Sequence, residues 1–262
     1  MPWEGDVPLG TLVEIMIANR LLNPKALYRI GDWAQRAGLT DYYGLAADQL
    51  NDDRFGRALE RLAVHAPAVQ AALVLKMVKV FKLNVSHIHY DISDVELYGA
   101  YEAATATAPP ATPLPTYGRT KSGRKNVKQI QFGLNVTNDG AVPISVMPLD
   151  GNTAEAKTHL ANLKQLEQLL PKGNLLYTAD TKLDTPENLL GIVAAEGQFL
   201  CGGAFQPHLQ QQYLKLRERM KPVDYYPKSQ AHLSAEERDA YQACEVTVKL
   251  DVTIHGFESA LG

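Results

Sequence analysis

The sequence predicts a mixed α/β (α+β) fold, in which a helical N-terminal region is followed by a mixed sheet flanked by helices. Three observations predict it. Apolar residues recur at helical spacing in the first 80 residues, apolar and polar residues alternate strictly along residues 129–136, and helix and strand signals then follow one another. A hairpin followed by strands that are reached through helices gives a sheet with antiparallel and parallel pairs.

The N-terminal region is predicted to be mostly helical. Three stretches carry the helical spacing: residues 7–30, 31–38 and 45–80. Asn51 or Asp52 is expected to cap the third stretch, since a short polar side chain before an apolar pattern is typical of a helix start. Pro67 lacks a backbone N–H and is expected to break the stretch into two helices.

The pattern changes to β-structure near residue 84. Val85, Ile88 and Tyr90 predict a short strand that ends at Asp91. The Pro-rich residues 103–116 fit neither a strand nor a helix, so they predict a loop. The alternation at 129–136 predicts a half-buried strand, and the turn signal Asn-Asp-Gly at 138–140 pairs it with a strand at 141–149.

Helix and strand signals then alternate to the C-terminus. The helix starts are predicted from capping residues and from a proline at the first helical position, and the strands from short apolar or alternating runs. The expected elements are a helix from Asn152 or Thr153 to Pro171, strands at 174–180 and 199–200, helices at 185–197 and 208–220, and a strand at 245–254.

Composition excludes several classes of protein. Hydrophobic residues make up 45% of the 262 residues and charged residues 21%, which is typical of a globular chain and excludes a disordered or collagen-like one. Two cysteines, Cys201 and Cys244, cannot form a disulfide framework or a C-x-x-C metal site. We find no signal-peptide pattern and no apolar run of the roughly 18 residues that span a bilayer, so we expect a cytoplasmic protein with no membrane partner.

Two aspartates follow predicted strands. Asp91 and Asp180 each end a short apolar run, and reactive groups in open α/β sheets gather at the carboxyl ends of strands. Two facing carboxylates suit Mg²⁺ or Mn²⁺. The alternative is that each Asp only ends a strand or caps a turn. Asp94 and Glu96 are expected to be solvated loop residues.

A basic cluster precedes the hairpin. No Asp or Glu occurs from Ala103 to Asn138, although the chain as a whole has a net charge of −3. Such a stretch can neutralise nucleic-acid phosphates, and the alternative is a solvated loop. The predicted DNA-binding residues are Arg119, Lys121, Arg124, Lys125 and Lys128.

Five stretches together resemble DDE-type transposases of bacterial insertion sequences, of the IS-four superfamily with a ribonuclease-H-like core. The likeness extends over residues 7–205. The stretches are LNDDRFGRAL at 50–59, HYDIS at 89–93, YGRTK at 117–121 with KQI at 128–130, LDGNT at 149–153, and TAD at 178–180 with ENL at 187–189.

This resemblance implies a function and a division of the chain. It implies an enzyme that binds element ends, cleaves DNA and joins it to a target, with Asp91 and Asp180 as catalytic metal ligands for two Mg²⁺ or Mn²⁺ ions. The implied partner is double-stranded DNA in the nucleoid, bound by a possible homodimer. The implied parts are a helical region at 1–83, a partial catalytic core at 84–205, and the start of an insertion at 206–262.

One part of the family pattern is missing. The family carries a third carboxylate, a Glu within Tyr-x-x-Arg-x-x-x-Glu, and none of the later glutamates has this context: Glu196, Glu218, Glu236 and Glu237. We therefore expect a truncated transposase with weak metal binding and little strand transfer. The alternatives are a non-catalytic DNA-binding remnant and a metal-dependent nuclease of the same fold.

Overall fold

The computed structural model describes residues 3–101, 112–124, 126–170, 174–203 and 207–245. The chain divides into two compact units, Met1–Val80 and Phe81–Gly262. The strand expected at 245–254 lies almost entirely outside the described residues.

The described part of the first unit contains four α-helices: α1 (Leu9–Leu22), α2 (Ile30–Arg36), α3 (Leu39–Tyr43) and α4 (Asp52–Phe81). They enclose a small apolar core that includes Leu12, Ile15, Ile30, Trp33 and Phe55. Asn51 caps α4 as expected, because its Oδ1 accepts a 2.9 Å hydrogen bond from the Arg54 backbone N–H.

Helix α4 continues through Pro67 for 30 residues, so the expected break at this proline is wrong. Proline removes one helical hydrogen bond, the bond that the Ala63 carbonyl would otherwise accept, and its ring crowds this carbonyl. Residues 63–69 are all exposed, so water can hydrogen-bond this carbonyl. The cost of the missing bond is therefore small enough for the helix to continue.

Part of α4 is long and apolar enough to cross a membrane, by length and composition alone, and little of it is buried. We expected no apolar run of this length, and this part of α4 was missed. Lys76 and Lys79 interrupt the run, but the stretch remains apolar on average. Large apolar side chains such as Val64, Leu73 and Leu75 are exposed. A single helix of this kind is weak evidence for a membrane contact.

In the described residues of the second unit, six strands form one mixed sheet: β1 (His87–Leu97), β2 (Thr116–Tyr117), β3 (Lys128–Thr137), β4 (Pro143–Asp150), β5 (Leu176–Ala179) and β6 (Gln198–Cys201). Its main order is β4-β3-β1-β5-β6, and the first two residues of β3 pair with β2. β3 is antiparallel to β1 and β4, whereas β1, β5 and β6 are mutually parallel. The predicted fold class, a mixed sheet flanked by helices, is therefore confirmed.

Two helices connect the later strands, α5 (His159–Leu169) and α6 (Pro186–Ala194). Helix α6 begins at Pro186, as the proline predicted, and Thr185 is its cap, because its side chain accepts a hydrogen bond from the Asn188 backbone N–H. The expected start of α5 at Asn152 or Thr153 is wrong, because a 3-10 turn at Glu155–Lys157 comes first. Beyond the sheet lie α7 (Pro207–Leu216) and a two-stranded sheet of β7 (Lys221–Val223) and β8 (Tyr241–Ala243).

Strand β1 is longer than predicted and does not end at Asp91. It pairs with β3 from Ile88 opposite Thr137 to Leu97 opposite Lys128. The partner strand therefore holds residues 92–97 extended, although their own sequence has no clear strand pattern. Consequently Asp91 lies in the middle of a strand.

The buried face of β3 is its polar face. Asn135 is fully buried, and its Nδ2 donates to Asn162 Oδ1 on α5 at 2.7 Å, while Asn162 Nδ2 donates to the Tyr177 hydroxyl on β5 at 2.9 Å. Buried amides are tolerated when they bond to each other in this way. Gly133 on β3 leaves room for Tyr90 on β1, since a Cβ at Gly133 would overlap the Tyr90 hydroxyl.

Candidate functional site

The register of β1 and β5 brings the two predicted aspartates together. His89 pairs with Thr178 in the parallel ladder. The ladder ends at this pair, and each aspartate follows it by two residues, Asp91 within β1 and Asp180 directly after β5. Both residues therefore lie near the carboxyl end of β5.

The two aspartates differ in their surroundings. The Asp91 side chain is 68% exposed, and Lys121 Nζ lies 3.4 Å from its Oδ2. Asp180 is also exposed, and its Oδ1 accepts a 2.7 Å hydrogen bond from the Lys182 backbone N–H. Asp180 thus does cap a turn, as the alternative proposed, but its second carboxylate oxygen makes no hydrogen bond within the described residues.

Sequence reasoning missed a third carboxylate, Glu155. It is half-buried in the turn after β4, and burial raises the pKa of its carboxyl group, with further increases from the negative charges of Asp180 and Asp91. Strand β4 runs parallel to β1, because both are antiparallel to β3. Residues that follow β4 therefore emerge at the edge of the sheet where Asp180 lies, and this direction is the signal that could have found Glu155.

A hydrogen-bond chain fixes the turn that carries Glu155. The Tyr90 hydroxyl donates to Thr158 Oγ1 at 2.9 Å, and Thr158 Oγ1 donates to the Glu155 carbonyl at 2.8 Å. Asn188 Nδ2 on α6 donates to the Ala156 carbonyl at 2.9 Å. The turn is therefore tied both to the residue next to Asp91 and to the helix that follows Asp180.

Three of the predicted DNA-binding side chains contact oxygen atoms of the described residues. Arg124 Nη1 lies 2.9 Å from Glu96 Oε2, and Lys128 Nζ donates to the Ala100 carbonyl at 2.7 Å. Lys121 faces Asp91, and Arg119 is exposed. Lys125 lies outside the described residues. The role of these five residues in DNA binding remains a prediction.

Residues 119–124 form a loop that we call the basic strap, and β1 holds it. The Lys121 backbone N–H donates to the Asp94 carboxylate at 3.4 Å. Ser122 Oγ donates to Glu96, and the hydrogen bonds from Ser122 and Tyr98, with a contribution from Arg124, lower the pKa of the Glu96 carboxyl group. The expectation that Asp94 and Glu96 are solvated loop residues is therefore wrong.

The donor chemistry of the aspartate pair suits a hard divalent cation. Within the part of the chain that the structure describes, no three His, Cys, Asp or Glu side chains are grouped closely enough to hold one metal ion. Mg²⁺ commonly binds through one or two carboxylates and completes its shell with water and phosphate oxygens. One cationic group of the protein, the Lys121 ammonium, lies 3.4 Å from Asp91 Oδ2.

No protein-family model and no curated protein sequence matches the chain. Similar solved structures include a piggyBac transposase synaptic complex with hairpin DNA (TM-score 0.41, 13% identity, 93% of this chain and 52% of that one). They also include a Mos1 transposase paired-end complex with the left transposon end (TM-score 0.31, 10% identity, 82% of this chain and 68% of that one). These TM-scores are too low to establish a shared fold, so the fold assignment depends on the strand order.

Proposed function

We propose that this chain is the core of a DDE-type transposase of bacterial insertion sequences, of the IS-four superfamily, which cleaves and joins DNA with the help of divalent metal ions. The observation that supports the proposal is the parallel register of β1 and β5, after which Asp91 and Asp180 both follow near the carboxyl end of β5. The order of the five family-like stretches along the chain supports it.

Asp91 and Asp180 would hold Mg²⁺ or Mn²⁺. When bound, such ions activate a water molecule or hydroxyl and stabilise the leaving oxygen of a phosphodiester. The chain itself orients the two ligands. Pairing with Leu134 of β3 fixes Asp91 within β1, and the hydrogen bond from Lys182 N–H fixes one oxygen of Asp180 and leaves the other available. Glu155 adds a negative charge nearby, which favours cation binding.

Double-stranded DNA is the proposed partner. The basic strap and Lys128 would neutralise phosphates close to the aspartate pair, even though the whole chain is acidic. Arg119 is exposed and is available for such a contact without breaking an ion pair of the described residues.

A non-catalytic DNA-binding role is the second candidate. It is favoured by the finding that no group of three metal-binding side chains is present among the residues described. In this case the basic residues bind DNA and no cleavage follows.

The test is Mn²⁺-dependent nicking of plasmid DNA that carries the sequences flanking the gene. We compare the wild-type chain with Asp91→Asn, Asp180→Asn and the exposed Asp224→Asn as a matched control. Nicking that both site variants lose and the control keeps supports the transposase. DNA binding with no nicking by the wild-type chain overturns the catalytic proposal in favour of the second candidate.

A further inference from the structure

The positively charged Lys121 side chain lies beside Asp91. Lys121 Nζ lies 3.4 Å from Asp91 Oδ2, and the two side chains are 62% and 68% exposed. An exposed pair of this kind contributes little by itself and does not hold a flexible lysine in place. The position of Lys121 must therefore be set by the rest of the basic strap.

The strap is anchored on both sides of Lys121. Thr120 is 4% exposed, and its hydroxyl donates to the Arg124 carbonyl at 2.9 Å, which closes the strap into a compact turn. Arg124 Nη1 and Ser122 Oγ both contact the Glu96 carboxylate. Gly123 has a φ of 76°, a backbone conformation that favours glycine and allows the chain to turn here.

Strand β1 supplies the acceptors for these contacts from one short stretch. Asp91 faces Lys121, Asp94 accepts from the Lys121 backbone, and Glu96 accepts from Ser122 and Arg124. The hydrogen bonds from Ser122 and Arg124 to Glu96 thus hold the basic strap. The strap in turn positions the Lys121 ammonium beside Asp91.

We propose that the basic strap is a built-in counter-ion for the metal site: Lys121 holds Asp91 in the metal-free protein and leaves it when a divalent cation binds. This inference depends on the proposed function, since it assumes that Asp91 is a metal ligand. Two cations at one carboxylate repel each other, so metal and Lys121 compete. A released Lys121 becomes available for a phosphate beside Arg119, so metal and DNA binding support each other.

The test measures Mn²⁺ affinity of the full chain without DNA, by the loss of the free Mn²⁺ electron paramagnetic resonance signal. Lys121→Gln is expected to bind Mn²⁺ roughly threefold more tightly, which corresponds to the loss of an exposed ion pair. Lys121→Arg keeps the charge and should resemble the wild type. Lys164→Gln is the matched control, because this lysine is exposed on α5 and makes no ion pair in the described residues.

Glu96→Gln distinguishes two effects of Glu96 on Mn²⁺ affinity: its role in positioning Lys121 and its negative charge. Removal of a negative charge near the site should weaken Mn²⁺ binding if charge alone matters. If the hydrogen bonds to Glu96 position Lys121, their loss frees the basic strap and Mn²⁺ binds more tightly instead. Circular dichroism of each variant verifies that the fold is retained.

The outcomes distinguish this inference from the proposed function. Asp91-dependent Mn²⁺ binding that is unchanged or weaker in Lys121→Gln overturns the counter-ion role and leaves the metal site intact. Mn²⁺ binding that is equally tight in Asp91→Asn removes the metal site, and the counter-ion role with it.

Discussion

The Tyr90 hydroxyl on β1 donates a 2.9 Å hydrogen bond to Thr158 Oγ1 at the start of α5. Both residues are buried, and Thr158 Oγ1 in turn donates to the Glu155 carbonyl at 2.8 Å. This chain joins the strand that carries Asp91 to the turn that carries Glu155. The geometry of the site therefore depends on polar contacts inside the sheet's buried face.

Tyr90→Phe is expected to lower the free energy of unfolding by about 1 kcal/mol, because Thr158 loses a buried hydrogen bond. Urea unfolding followed by circular dichroism measures the change. Tyr42→Phe is the control, since Tyr42 is 79% exposed. Equal stability of the two variants would show that the Tyr90 hydroxyl does not stabilise the fold.

Asn162→Ala is expected to cost more, about 3 kcal/mol. The substitution removes the hydrogen bonds that two buried partners, Asn135 and the Tyr177 hydroxyl, make with Asn162, and it also opens a small cavity. Lys164→Ala on the same helix is exposed and should change stability by less than about 0.5 kcal/mol. A similar loss in both variants contradicts the role of the buried network.

His159 is expected to make stability depend on pH. It is 1% exposed, and burial lowers the pKa of its imidazole to about 4, with the nearby charge of Asp180 acting in the opposite direction. The unfolded chain, with a pKa of about 6.5, thus takes up the proton first. The stabilisation is complete above the unfolded pKa and is lost as the pH falls through about 6.5 towards about 4.

Urea unfolding at two pH values measures this effect. Between about pH 7.5 and about pH 5, the His159 contribution should fall by about 2 kcal/mol. His159→Gln removes the titrating group. Over the same pH range, the variant should therefore lose about 2 kcal/mol less stability than the wild type. Parallel pH profiles for the two proteins contradict the prediction.

Glu155→Gln is expected to weaken Mn²⁺ binding by roughly threefold, because one negative charge near the two aspartates is removed. Asp91→Asn should abolish this binding instead, since it removes a proposed ligand. Glu167→Gln, an exposed glutamate on α5, is the control for loss of charge elsewhere. Abolished binding in Glu155→Gln shows that Glu155 is itself a ligand.

The sequence predicted those features that depend on neighbours in the chain. The alternation at 129–136 and the turn at 138–140 predicted the β3–β4 hairpin, and Pro186 at the first helical position predicted the start of α6. The buried face of β3 could not be predicted, because the partner of Asn135 is Asn162, on a helix that follows the hairpin. The length of β1 depends in the same way on pairing with β3.

Only part of the candidate site could be predicted, because the rest depends on contacts between distant parts of the chain. Asp91 and Asp180 were found because each follows an apolar strand signal. Glu155 and the Lys121–Asp91 pair were missed, because they depend on the direction of β4 and on how the basic strap folds back over β1. Neither feature has a local pattern in the sequence.

Gly133 has a consequence for how this sequence can vary. The space that its missing side chain leaves on β3 is filled by the Tyr90 ring, whose hydroxyl begins the hydrogen-bond chain to Glu155. A relative with a larger residue at position 133 should therefore carry a smaller one at position 90. The two positions are expected to covary, although 43 positions separate them in the chain.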